Sequence, residues 1–169
     1  MAGLKSNEVR LEAYDAAWPE IFGREAAVLR GALGALANEV EHIGSTAVSG
    51  MAAKPVVDIA VQTKSFANLS AIIAAMERAG YSYKGEFGLP GRQFFTKGDP
   101  VLFHVHIVEP DCEHWPKWIR FRDALRADAK LRDGYAVLKR GLAEKFGHDR
   151  PAYTAGKGGF IRRVLEKSA

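Results

Sequence analysis

A single cysteine, Cys112, stands among 169 residues, so an internal disulfide is excluded and a reducing, cytoplasmic setting is the expectation. With one cysteine and five dispersed histidines, the chain matches no structural zinc spacing. No apolar run approaches the roughly 18 residues of a membrane span, and the opening MAGLKSNEVRLEAYD lacks the apolar centre of a signal peptide; a membrane is not an expected partner. Ser45 sits in no G-x-S-x-G elbow, which leaves a serine nucleophile without its usual setting. Gly156-Lys157-Gly158-Gly159 has neither the spacing nor the preceding strand of a Walker A loop. No RNP1, KH or zinc-finger pattern accompanies the basic residues, which argues against nucleic acid as partner.

What is present is ordinary globular material, 47% hydrophobic and 26% charged. The length suits one domain over 1–169, able to bury roughly 70% of its unfolded-chain surface without covalent staples. Charge is unevenly spread: from Trp115 onward Lys and Arg outnumber Asp and Glu by 14 to 6. That excess fits either an anionic partner or a set of solvated helix faces.

The pattern predicts a helix entered at Asp15 to Pro19 and running to Leu36, a strand over 39–43, and a second strand in Pro55-Val-Val-Asp-Ile-Ala-Val61. A helix capped by Ser65 follows and stops at Gly80. Strands are expected over 81–87, 92–97 and 101–108, the last two joined by the turn Lys97-Gly-Asp-Pro100. Helices open at Trp115-Pro116, at Leu131 and at Gly158, with 147–151 as a loop between them. The fold class is therefore α/β (α+β): a mixed sheet with flanking helices, its core at about 1–112, and a helical C-terminal part at about 113–169.

One stretch organises the rest. Strand alternation sends Val57, Ile59 and Val61 to one face and Val56, Asp58 and Ala60 to the other. A carboxylate in so apolar a strand must be paired, hydrogen-bonded or metal-bound. Gly44, Ser45 and Thr46, just upstream, let backbone N–H groups approach an anion and add two hydroxyls. Loop and acid strand together suggest a site for phosphate plus a divalent metal. In Val101 to Val108 the same alternation puts His104 and His106 side by side, able to bind a metal jointly, orient a carboxylate or exchange protons with one. If these strands share a sheet, Asp58 should lie within about 8 Å of one of the imidazoles, a span that one metal or water can bridge. Lys54, Arg92, Tyr153, Lys157 and Arg162 are further candidate phosphate or base contacts, and His42 sits at a strand end where side chains often face a ligand crevice.

The run from His42-Ile-Gly-Ser-Thr-Ala-Val-Ser-Gly to Lys54-Pro-Val-Val-Asp58-Ile resembles the signature of the GrpB (UPF0157) family. Tyr14-Asp-Ala-Ala-Trp-Pro19, Phe103-His-Val-His-Ile-Val-Glu109, Phe121 to Arg126 and Tyr153 to Lys157 resemble its other motifs, so the likeness spans nearly the whole chain. Ser49 stands where the family usually has proline. The resemblance implies the nucleotidyltransferase fold of the DNA polymerase beta superfamily, in a family that also occurs fused to dephospho-CoA kinase. It further implies a Gly-Ser loop holding a nucleotide, matched by Gly44 and Ser45, and acids binding magnesium; with Thr46, Lys54, Arg92 and Lys157 as the phosphate contacts read from the residues, Mg2+ or Mn2+ is the expected cofactor. Asp58 matches the first acid, Ala60 stands where the second should be, and His104 and His106, with Glu109 nearby, fall on the strand of the third. The expected function is then nucleotidyl transfer to an unknown acceptor, with Asp58, His104 and His106 as catalytic and metal-binding groups. The alternative is a non-catalytic module that binds a nucleotide or CoA precursor.

Overall fold

A computed structural model describes residues 3, 4 and 9–167. Five strands form one mixed sheet in the order β1-β2-β5-β4-β3: β1 (Ala37–Ile43), β2 (Val57–Thr63), β3 (Ser82–Tyr83), β4 (Arg92–Lys97) and β5 (Phe103–Val108). β2 and β5 run parallel at the centre, and every other neighbour pair is antiparallel. The register sets Asp58 beside His104 and Ala60 beside His106. All side chains with the parity of Asp58 on β2 and of the two histidines on β5 therefore travel on one face.

The opposite face makes the main core. Val57, Ile59 and Val61 join Phe103, Val105 and Ile107 under α1 (Trp18–Leu33) and α2 (Leu69–Arg78), with Trp18, Leu29, Ile72 and Met76 closing over them. α1 enters as its sequence suggests: Asp15 accepts from Ala17 N at 2.9 Å and Pro19 lies in the first turn, where no N–H is missed. Its last residues tighten into a 3-10 turn, Gly34–Leu36, rather than continuing as α-helix. Ser65 does cap, but over a 3-10 turn, Phe66–Asn68, that leads into α2.

Glu25 on α1 is buried on this face, where it accepts from Tyr81 Oη and Lys97 Nζ, both at 2.6 Å. Tyr81→Phe removes one of those donors and leaves the lysine in place. Loss of one charged hydrogen bond costs about 1.5–3 kcal/mol, so thermal unfolding should show Tm lower by roughly 3–10 °C for a chain of this size.

Two strand expectations shorten. Only Ser82–Tyr83 of the stretch 81–87 forms regular strand: Lys84 N and the Gly85 carbonyl both bond Phe94 of β4, and beyond Gly85 (φ 65°) the chain turns away through Phe87 (φ 48°), where Arg92 takes the carbonyls of Glu86 and Phe87. β5 begins at Phe103, since Val101 bridges Leu4 instead. The C-terminal third is helical: α3 (His114–Ala127), α4 (Ala129–Lys145), α5 (Arg150–Gly156) and α6 (Gly158–Lys167). α5 corrects the reading of 147–151 as loop. Asp149 caps it by accepting from Ala152 N at 3.0 Å and Pro151 occupies its first turn. α3 is clamped to the sheet by Arg122, whose Nη1 donates to Glu41 Oε2 at 2.5 Å and to the His42 carbonyl at 2.9 Å. Among the described residues no helix is long and apolar enough to cross a membrane.

Candidate functional site

The polar face of the sheet is roofed by α4 and α5, and the space between is a cleft of about 710 Å³. Gly44, Ser45 and Thr46 line it from the loop after β1, Lys54 from the approach to β2, Asp58 from β2, Arg92 and Phe94 from β4, and His104 and His106 from β5. Tyr135 and Lys139 of α4, Arg150 and Tyr153 of α5, and Lys157 complete the other wall.

Asp58 is the floor. His104 Nδ1 lies 2.9 Å from Asp58 Oδ1, and His106 Nε2 lies 3.6 Å from the same oxygen. Each imidazole has a guanidinium behind it: Arg150 Nη2 is 3.3 Å from His104 Nε2, and Arg92 Nη1 is 3.1 Å from His106 Nδ1. A guanidinium only donates. The outer nitrogens must therefore accept, which assigns the protons to the inner nitrogens and makes both rings neutral donors aimed at one carboxylate oxygen. Burial pushes the Asp58 carboxyl up, but hydrogen bonding from His104 and His106 outweighs it and holds the group well below the ordinary carboxylate range. Burial holds His106 down, against the pull of Asp58.

This network bears on the metal reading of Asp58, His104 and His106. Ligation by all three would need both inner nitrogens bare, and the protons would then sit on outer nitrogens that face guanidiniums. Magnesium and manganese also prefer oxygen donors, and among the described residues Asp58 is the only carboxylate lining the cleft. Ala60, fully buried beside His106, offers none. Among the described residues no group of three or more His, Cys, Asp or Glu side chains is arranged to hold a metal ion. The donor set in this state does not fit a resident Mg2+ or Mn2+. Glu109 is elsewhere: its Oε1 accepts from Phe66 N at 2.6 Å, at the start of the turn before α2.

The loop at the rim is shaped by Gly44. Its φ of 70° with ψ of −170° suits glycine, and a Cβ there would lie 2.7 Å from Asp58 Oδ2. The backbone can thus run directly over the carboxylate. Ser45 Oγ accepts from Lys139 Nζ at 2.8 Å, and Lys139 also donates to the Ala52 carbonyl at 2.5 Å. Thr46 Oγ1 is 3.0 Å from His42 Nε2, and the His42 ring stacks on Phe22. Burial takes His42 down to about 4, with Asp58 opposing and Arg126 and Arg122 assisting. His42 is thus a buried support for the loop, and it does not line the cleft.

The cations crowd one another. Burial, then Lys157, Lys54 and Arg140, bring Lys139 down to about 7. Burial and Lys54 bring Lys157 to about 8, and burial with Arg150 lowers Lys54. Lys157 and Lys54 lie over the Tyr153 ring, at 4.5 and 6.0 Å from its centre. Of the residues expected from sequence, Gly44, Ser45, Thr46, Lys54, Asp58, Arg92, His104, His106, Tyr153 and Lys157 meet at this cleft. Arg162 is exposed on α6 and does not line it. Lys139 and Arg150 were not anticipated. Lys139 was nonetheless visible as a lysine inside the apolar stripe Leu131, Tyr135, Leu138, Leu142 of α4, and Arg150 stands directly after the cap Asp149.

Comparison with known proteins places these features in context. Residues 8–167 match the family described as GrpB protein. UPF0157 protein YqkA of Bacillus subtilis is 34% identical over 162 residues, which cover 95% of this chain and 47% of YqkA, so the chain spans about half of that relative's length. The crystal structure of conserved protein GrpB from Enterococcus faecalis superposes with a TM-score of 0.86 at 34% identity, covering 94% of this chain and 96% of that one. Cid1 poly(U) polymerase superposes with a TM-score of 0.51 at 18% identity, over 79% of this chain and 44% of its own, a likeness of fold alone.

Proposed function

This chain belongs to the GrpB family, and from that premise and the charge of its cleft we propose that it binds a phosphate-bearing small molecule, a nucleotide or CoA precursor, through a cationic wall. The observation that carries this reading is the gathering of Lys54, Arg92, Lys139, Arg150 and Lys157 around a single carboxylate that two imidazoles already engage. Buried like charges repel at close quarters and their desolvation is costly. Such a cluster becomes favourable when an anion enters, and Gly44, Ser45 and Thr46 offer that anion a small-residue rim. In this reading Ala60 is consistent with a site that does without a second metal-binding acid.

A second reading, metal-dependent nucleotidyl transfer, has one observation in its favour: 29% of the Asp58 side chain stays exposed at the floor of the cleft on a nucleotidyltransferase-like fold. There Asp58 and the rings of His104 and His106 would position the reacting groups, and His104 Nε2 would accept a proton once Arg150 is drawn to phosphate.

Calorimetric titration with ATP and with dephospho-CoA, in magnesium and again in EDTA, separates the two. The cationic wall predicts binding that survives EDTA and falls about tenfold or more in Lys157→Met, the loss expected for a desolvated charge pair. It also predicts proton uptake at pH 7.5–8, because an incoming anion restores charge to Lys139 and Lys157, which lie at about 7 and 8. Binding abolished by EDTA and restored by magnesium, with turnover of the triphosphate, moves the assignment to the transferase. No binding under either condition overturns both.

A further inference from the structure

Resting on the cationic-wall reading, we infer that the ligand carries an aromatic base and that Phe87, at the rim of the same cleft, is the platform on which the base stacks. Phe87 is 64% exposed, while among the described residues nearly every other large apolar side chain is at least half covered. It lines the cleft. One side of its ring stacks on Phe94, with centres 5.2 Å apart and planes 25° from parallel, and the exposure leaves the rest of the ring to solvent. Among the described residues it is the only non-glycine with a positive φ, 48°. A bulky side chain in that region is strained, and such strain persists where the surroundings hold it.

Arg92 does the holding. Its Nη2 donates to the carbonyls of Glu86 at 3.0 Å and Phe87 at 2.9 Å, while its Nη1 reaches His106. The same guanidinium lies over Phe94, 4.7 Å from its centre, and Phe94 in turn meets the rings of His104 and His106 at 5.3 and 5.1 Å. An unbroken column of rings thus leads from the imidazoles on Asp58 to an open phenyl face. One arginine ties that face to the anion-binding floor. An exposed phenyl in water is unfavourable and gains by covering. Beside a cationic cleft, the occupant that satisfies ring and charge together is a flat aromatic base joined to phosphate.

Titration with tripolyphosphate, ATP and UTP, in one buffer at fixed salt, tests the inference. The wild type should bind ATP about tenfold or more tightly than tripolyphosphate, the gain expected from one base stacked on one ring. Phe87→Ala should erase that gain and leave tripolyphosphate affinity unchanged, and Phe87→Tyr should keep it. Adenine absorbance should fall on binding to the wild type and not to Phe87→Ala. Equal affinity of the wild type for ATP and tripolyphosphate overturns the inference, as does a Phe87→Ala variant that weakens all three ligands alike. Tripolyphosphate failing to bind while ATP binds in a Phe87-dependent way strikes the cationic wall alone. ATP and UTP both failing to bind overturns the base platform as well.

Discussion

Gly44→Ala is expected to destabilise the protein by about 3–5 kcal/mol, the sum of backbone strain and a forced overlap. The added Cβ would sit 2.7 Å from Asp58 Oδ2, 3.1 Å from its Cβ and 3.3 Å from its Cγ, so the whole side chain must give way. Asp58 has little room to do so. Its other oxygen accepts from His104 at 2.9 Å, His106 approaches at 3.6 Å, and each ring is backed by an arginine. The backbone at residue 44 cannot relax cheaply either, because φ of 70° with ψ of −170° is a glycine conformation. Differential scanning calorimetry should place Tm lower by roughly 6–20 °C for a chain of this size. Ligand binding should be lost even below that Tm, since loop and carboxylate move together. A shift of less than a degree would mean that Asp58 is not held as tightly as its contacts imply.

The reason this glycine was legible in sequence, while some of its neighbours were not, is physical. Alternation on a strand fixes which side chains travel together, so His104 and His106 were one set and Asp58 belonged to another before any register was known. The register then decided that the sets meet. Helical wall residues have no such shortcut. Lys139 lies 94 residues from its partner Ser45, and its place on the apolar stripe of α4 marks it as unusual without naming what it faces. α5 is only seven residues long, too short for an apolar period to declare itself, so the cap Asp149 and Pro151 were its sole signals and Arg150 was missed with it. Phe87 reads in sequence as the end of a strand. Its outward turn depends on Arg92 capturing two carbonyls, a tertiary event. The metal reading had a similar origin: the residues at 58, 104 and 106 suit a ligand set, and only the arginines behind the rings assign the protons that argue otherwise.

Stability should rise with pH from about 7 to about 9.5 and fall above about 10, an alkaline optimum set by the crowded lysines and buried tyrosines. Stability rises with pH wherever the unfolded chain binds more protons than the folded one. Lys139 at about 7 and Lys157 at about 8 release protons in the fold well before an unfolded lysine does, near 10.4. Lys54 is lowered in the same direction. Between these folded and unfolded values the unfolded chain holds the extra protons, so stability increases. Below about 7 the cost of charging the cluster is fully felt. For Lys139, 2% exposed and lowered to about 7, that cost is on the order of 5 kcal/mol at 1.36 kcal/mol per unit. Lower on the scale His42, at about 4, acts in the same sense through the region below 6.5, as does Asp58 in acid. Tyrosines reverse the slope. Burial raises Tyr81, Tyr135 and Tyr153, the last to about 12, so above about 10 the unfolded chain loses phenol protons that the fold retains. Urea unfolding from pH 6 to 10.5 measures the curve. Lys157→Met should flatten the rise between pH 7 and 9.5 and raise stability at pH 7 by about 1–3 kcal/mol, the gain from replacing a desolvated charge crowded by Lys54 and Arg150 with an apolar chain. Saturating ATP should act likewise on the wild type, as the phosphates take over the compensation. A wild-type curve that peaks at pH 6–7 and is unmoved by Lys157→Met would mean that the lysines keep their charge at no cost, and the cleft would lose its reason to bind an anion.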